Sequence, residues 1–175
     1  MAEAGTGDAP LVLTAALDAE DAERLDALRR EHFPAHRNEL AAHVTLFHAL
    51  PGERLGEVLD DLRSACRRPG FDVPVTGVRS LGRGAALVLE PGELARLRGE
   101  LARRWQPWLT RQDAQGFRPH VTVQNFVDPA VARTTVADLS ASFAPFAVRA
   151  VGVDVHRYLG GPWEHLHREE FDAPA

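Results

Sequence analysis

Apolar positions along this chain alternate between short continuous runs and helical stripes, and the order in which they do so is met twice. Leu11-Val-Leu-Thr-Ala-Ala-Leu17 is a short apolar run of the kind that forms a buried strand. Asp18 then offers an N-cap for a helix through Leu25 and Leu28 to about His32, which Pro34 closes. His43 to Leu50 predicts a second strand, and Pro51-Gly52 ends it and opens a helix with Leu55, Val58, Leu59 and Leu62 at helical spacing. Pro69-Gly70 stops that helix, and Phe71 to Val78 reads as extended. The second half runs through the same order: strand Ala85 to Leu89, helix from about Glu93 to Trp108, strand His120 to Val127, helix from Pro129 to about Phe143, strand Phe146 to His156. Trp163 to Phe171 adds an edge strand.

The spacing repeats with the order. The stretch from Leu11 to His43 is nearly equal in length to that from Leu87 to His120, and Gly77-Val78 follows His43 at almost the separation at which Gly152-Val153 follows His120. The expectation is an α+β fold: a duplicated, two-lobed domain over residues 11–172, with lobes at about 11–82 and 85–172. Two antiparallel-rich sheets then form a central cleft with helices outside. Residues 1–10 are small, polar and slightly acidic, without the basic and apolar regions of a signal peptide, and are expected to be a disordered tail.

Within this frame stand His43-Val-Thr45-Leu and His120-Val-Thr122-Val, one in each half and in matching slots. Side chains alternate along a strand, so each His shares a face with its Thr while the apolar residues point towards the helices. In-line cleavage of a phosphodiester needs a base on the attacking oxygen and an acid on the leaving oxygen. Two imidazoles that titrate near neutral pH can serve as both, each worth about 10²–10⁴ in rate. The hydroxyls of Thr45 and Thr122 point into the same cavity and suit the non-bridging oxygens. By the same alternation Phe47, Gln124 and Phe126 fall on the catalytic face and are candidates to floor a substrate pocket. Arg118, two residues before His120, is a candidate phosphate ligand. His48 falls on the opposite face and is read as structural, and Arg24, Arg29, Arg30 and the Arg96 to Arg104 series are read as solvated helix faces.

Composition narrows the chemistry. All 20 basic residues are Arg, so lysyl-nucleotide, Schiff-base and Walker-lysine mechanisms are excluded. A net charge of −5 argues against a broad surface for long nucleic acid, so an RNA end or nucleotide must be met locally. A lone Cys66 and no apolar run near the roughly 20 residues that span a bilayer point to a cytoplasmic protein, expected to be a monomer with no membrane association. His156, His165 and His167 lack cysteine partners and sit among carboxylates read as solvated surface, so no metal and no cofactor are expected.

The segments His43-Val-Thr-Leu-Phe-His-Ala-Leu-Pro-Gly52, Gly116-Phe-Arg-Pro-His-Val-Thr-Val123 and Arg157-Tyr-Leu-Gly-Gly-Pro-Trp-Glu164 resemble the 2H phosphoesterase superfamily, especially its bacterial 2′-5′ RNA ligase-like members. The resemblance covers nearly the whole chain, from about Leu11 to Phe171. It implies that His43 and His120 are the acid–base pair and that Thr45 and Thr122 hold the phosphate. It also implies that the substrate is an RNA end or nucleotide with a 2′,3′-cyclic phosphate or a 2′-5′ linkage, and that Tyr158 and Trp163, which bracket the Gly160-Gly161-Pro162 turn, border the cleft. Gln124 and Asn125 stand where better-studied members often carry a basic residue, so the substrate contacts are expected to differ.

Overall fold

β1 (Leu11–Leu17) is buried at every position because its two edges are taken by β2 (Thr45–Leu50) and β6 (Phe146–Tyr158), both antiparallel to it. β6 shares its other edge between two strands. Its first residues, Phe146 to Ala150, pair with β3 (Phe71–Ser80), and Gly152 to Tyr158 pair with β7 (Trp163–Glu170). β3 continues to β4 (Ala85–Leu89) and β4 to β5 (His120–Gln124). The computed structural model describes residues 6–172, and its strands form one seven-stranded antiparallel sheet in the order β2-β1-β6-β3-β4-β5, with β7 beside β6. Among the described residues four α-helices complete an α+β fold: α1 (Ala19–His32), α2 (Leu55–Ala65), α3 (Gly92–Trp105) and α4 (Pro129–Ser142).

Pairing crosses the midpoint of the chain: β3 of the first half joins β4, and β6 of the second half joins β1. The expectation of a separate sheet for each half is corrected to one continuous sheet. Periodicity reports which segments are strands, while partner choice depends on long-range packing that a local window does not contain. Gly152 shows how tight that packing is, since a Cβ there would run into the carbonyl of Glu169 on β7. Residues 1–5 of the expected tail lie outside the described residues. Thr6–Asp8 form a 3-10 turn, and Arg157 Nη1 donates to the carbonyls of Gly7 at 2.5 Å and Ala9 at 3.3 Å.

β2 ends the sheet path, and side chains close its open edge. Asp113 accepts the His48 amide at 2.9 and 3.0 Å, the Ala49 amide at 3.0 Å and the His48 Nδ1 hydrogen at 2.9 Å. From α3, Arg98 donates Nε to the Leu46 carbonyl at 2.8 Å and Nη2 to the Asp113 carbonyl at 2.6 Å. Two successive amides turned to one carboxylate mark a bulge, and the β1–β2 register shifts at two places. Alternation breaks there, so Leu46 and Phe47 both enter the core, where Phe47 meets the fully buried Trp105 at 5.1 Å between ring centroids. Burial alone would raise the Asp113 carboxyl, but its hydrogen bonds from His48 and Ala49 prevail and hold it below the usual carboxylate range.

β5, the other end of the path, receives the matching treatment. Arg29 of α1 donates Nη1 to the Thr122 carbonyl at 3.0 Å and Nε to Asn38 Oδ1 at 2.7 Å. Arg29 and Arg98 are 4% and 9% exposed, which corrects their reading as solvated surface. Both stand on the apolar stripe of their helix, Arg29 one turn after Leu25 and Arg98 in the row Leu94, Leu101, Trp105. Burial lowers both guanidinium pKa values, with Asp26 and Asp113 respectively opposing the shift. Arg98→Met leaves two buried carbonyls without donors and is expected to lower stability by roughly 2–4 kcal/mol, seen as a lower urea midpoint at unchanged slope. A loss below about 0.5 kcal/mol, the size of a neutral surface change, would show that β2 holds its shape without this arginine.

Candidate active site

The two His-x-Thr motifs are presented by the two end strands of the sheet. His43 lies just ahead of β2, where the Val44 carbonyl accepts the Ala15 amide of β1 at 2.9 Å, and His120 opens β5. Each imidazole is held by the carbonyl two residues before it: His43 Nδ1 donates to Ala41 at 2.8 Å and His120 Nδ1 donates to Arg118 at 2.9 Å. A carbonyl can only accept, so Nδ1 carries the hydrogen in both rings and each Nε2 is left free of main-chain bonds.

Thr45 and His120, from different motifs, line one cavity of about 520 Å³ together with Arg118. His43 lines a second cavity of about 370 Å³ with Trp163 and His156. Thr14 faces Thr45 across the β1–β2 pair, and its Oγ1 is bonded to His156 Nε2 at 3.0 Å. Thr122 is half-buried and lines neither cavity, its carbonyl engaged by Arg29. His43 packs against Trp163 at 4.7 Å between ring centroids. Desolvation pushes its pKa down to about 4; the Ala41 bond opposes this, and the charges of Arg29, His156 and His120 add to it. His43 is therefore an uncharged imidazole at neutral pH. That His120 bears on His43 electrostatically means the two motifs share one neighbourhood.

Two histidines of β7 are engaged by carboxylates, His165 by Asp154 at 2.9 Å and His167 by Glu169 at 2.8 Å. Among the described residues no group of three or more His, Cys, Asp or Glu side chains is arranged to hold a metal ion. No helix among them is long and apolar enough to cross a membrane.

The family model of the 2′-5′ RNA ligase superfamily matches residues 17–162. The chain belongs to that superfamily. No curated protein sequence matches it. Among solved structures, this 2′-5′ RNA ligase superfamily protein is similar in fold to TT0787 of Thermus thermophilus, at 17% identity and a TM-score of 0.66 over 95% of this chain and 100% of that one. It is likewise similar to E. coli LigT complexed with 3′-AMP, at 20% identity and a TM-score of 0.58 over 94% of this chain and 98% of that one. The family agrees with the resemblance to 2H phosphoesterases that the paired motifs carry.

The other candidate contacts of the superfamily member divide. Arg118 and Trp163 line the cavities of the two motifs. Phe47 is turned into the core by the β2 bulge, and Gln124 is turned inward by a register shift in β5, where its Nε2 donates to Thr135 Oγ1 at 2.8 Å. Phe126 lies in the bend after β5 at a φ of 64° and, with Arg37 over its ring at 4.1 Å, bounds a separate cavity of about 350 Å³. Tyr158 is exposed and lines none of these cavities. In the opposite sense, the β2 bulge turns His48 outward to line the cavity of Thr45 and His120, against the expectation of a helix-facing residue. Arg79 of β3 lines it as well, and no local motif marked that residue.

The His43 environment is directly measurable. In an NMR pH titration its imidazole is expected to stay neutral down to about pH 4, and Trp163→Ala, by readmitting water, is expected to move its pKa upward towards 6.5. An ordinary titration near 6.5 in the unmodified protein would contradict the desolvated environment.

Proposed function

We propose that this protein is a metal-independent phosphoesterase that opens a 2′,3′-cyclic phosphate on an RNA end or nucleotide and leaves a 2′-phosphate. The observation that carries the reading is the matched tautomer: both motif histidines give Nδ1–H to the carbonyl two residues back and keep Nε2 for substrate. Two groups of one kind in one electrostatic neighbourhood, one of them held neutral by desolvation, suit a reaction that removes one proton and supplies another.

His43, neutral at physiological pH, takes the proton of the attacking water at Nε2. A new P–O bond forms from that water, the P–O3′ bond breaks, and His120 delivers a proton from Nε2 to the departing 3′ oxygen. Through this step His120 keeps its Nδ1 bond to Arg118, so the ring does not rotate as it changes charge. Thr45 and Thr122 donate to the non-bridging oxygens, which gain charge as the phosphorus becomes five-coordinate. The same step with an RNA 5′-hydroxyl in place of water forms a 2′-5′ linkage, the reaction in the superfamily's name. The net charge of −5 favours hydrolysis of small ends over the joining of long RNA partners.

With adenosine 2′,3′-cyclic phosphate as substrate, His43→Ala and His120→Ala are each expected to lower kcat by about 10² or more without shifting the unfolding midpoint. Full turnover by either variant would eliminate the paired mechanism. Excess EDTA is expected to leave the rate unchanged, and loss of activity restored by a divalent ion would point to metal-assisted chemistry instead. The acidic limb of kcat/KM is expected near pH 4 to 5, because the base form of His43 is lost only as pH falls through its depressed pKa.

A further inference from the structure

The cavity beside the second motif holds more guanidinium groups than the motif chemistry uses. The guanidinium groups of Arg79 and Arg118 line it beside the imidazoles of His48 and His120, buried Arg98 contributes to its wall, and no carboxylate side chain among the described residues lines it. This local excess stands out in a chain of net charge −5.

The geometry of Arg79 gives the excess a direction. Arg79 pairs with Ala86 across β3–β4, and Ala86 pairs with Thr122 across β4–β5. Directly paired residues of an antiparallel sheet share a face, so Arg79 and Thr122 rise from one side with only a methyl group between them, two strand spacings or roughly 10 Å apart. On the same face His120 pairs with Val88, and Val88 pairs with Gly77, which leaves the floor beyond the motif low and open. Arg79 Nε is buried without a hydrogen-bond partner among the described residues. A buried guanidinium donor left unmet is costly, and a ligand oxygen removes that cost. From β2, His48, whose Nδ1 is tied to Asp113, lines the same cavity and keeps Nε2 for it, its side chain 44% exposed.

We propose that Arg79, Arg118 and His48 form a subsite for a second phosphate, the group carried on the 5′ oxygen of the nucleoside whose cyclic phosphate is opened. The inference rests on the phosphoesterase reading above and names its substrate class: a cyclic end bearing a neighbouring phosphate, in place of a bare nucleoside cyclic phosphate. A 5′-phosphomonoester and the phosphodiester of a longer RNA end offer the same anionic oxygens, and guanidinium groups suit both.

Three substrates separate the sources: adenosine 2′,3′-cyclic phosphate, the same compound with a 5′-phosphate, and a dinucleotide ending in it. Both phosphate-bearing substrates are expected to show kcat/KM at least about tenfold above the first, the scale of one charge-assisted hydrogen bond. A gain for the phosphomonoester alone narrows the subsite to mononucleotides, and a gain for the dinucleotide alone narrows it to RNA ends. Arg79→Met is expected to bring the ratio within that variant close to one, and Arg118→Gln to reduce it. Equal kcat/KM for all three in the unmodified protein overturns the subsite and leaves the phosphoesterase reading standing.

If none is hydrolysed, that reading fails and calorimetry decides the subsite alone. Adenosine 3′,5′-bisphosphate is expected to bind at least about tenfold tighter than adenosine 3′-monophosphate, with the difference lost in Arg79→Met. Equal affinities, or a preference that persists in Arg79→Met, overturn the subsite. Each comparison is made within one variant, so partial unfolding cancels from the ratio.

Discussion

Both ends of the sheet present main-chain groups that have no strand to pair with, and a buried arginine at each end resolves the problem. An open edge either attracts another chain or must be covered. Arg98 covers β2 and Arg29 covers β5, and each arginine comes from a helix in the other half of the sequence. Buried guanidinium groups are tolerated here because their hydrogens meet carbonyl and amide oxygens and their flat faces lie on aromatic rings, Arg98 over Phe47 at 4.8 Å and Arg29 over Phe33 at 4.1 Å. The strands so covered are the two that present the His-x-Thr motifs. The chemistry of the site therefore depends on edge closure: if β2 were free to move, the Ala41 carbonyl and the His43 ring would no longer hold their shared geometry.

Much of the fold is legible in the local pattern. The continuous apolar run of β1, the cap at Asp18, the Pro-Gly breaks and the tail strand all stand close to where periodicity and turn chemistry put them, and the Asp18 carboxylate accepts the Asp21 amide as an N-cap should, at 2.9 Å. Strand partnership was not legible. β6 joins β1 from nearly the other end of the chain, a choice made by three-dimensional packing and not by any local window.

The site was legible where chemistry is duplicated and illegible where the backbone departs from regularity. The two motifs announced themselves by repetition. The contacts around them were inferred from strict alternation, and each register shift reversed an inference: Phe47 and Gln124 went in, and His48 came out. The buried arginines had left a trace, since a charged residue in the middle of an apolar stripe must be paired in the interior. Arg79 left none, because its meaning comes from lateral alignment with Thr122 across two strands.

The lateral neighbours of His43 come from the far end of the chain. Trp163 lies against its ring, and His156 stands close by, so the first motif sits in the open until β6 and β7 are in place. Because a polypeptide leaves the ribosome from its N-terminus, the earliest of the four motif residues to be made gains these neighbours only when β6 and β7, which follow the second motif, have emerged. A nascent chain halted after β5 would hold every His and Thr of both motifs and still lack the wall that keeps His43 uncharged. On the proposed function, the first motif therefore gains its full setting only after the second motif and the two strands behind it have been made, and products cut short between β5 and β6 carry the signature residues without that wall.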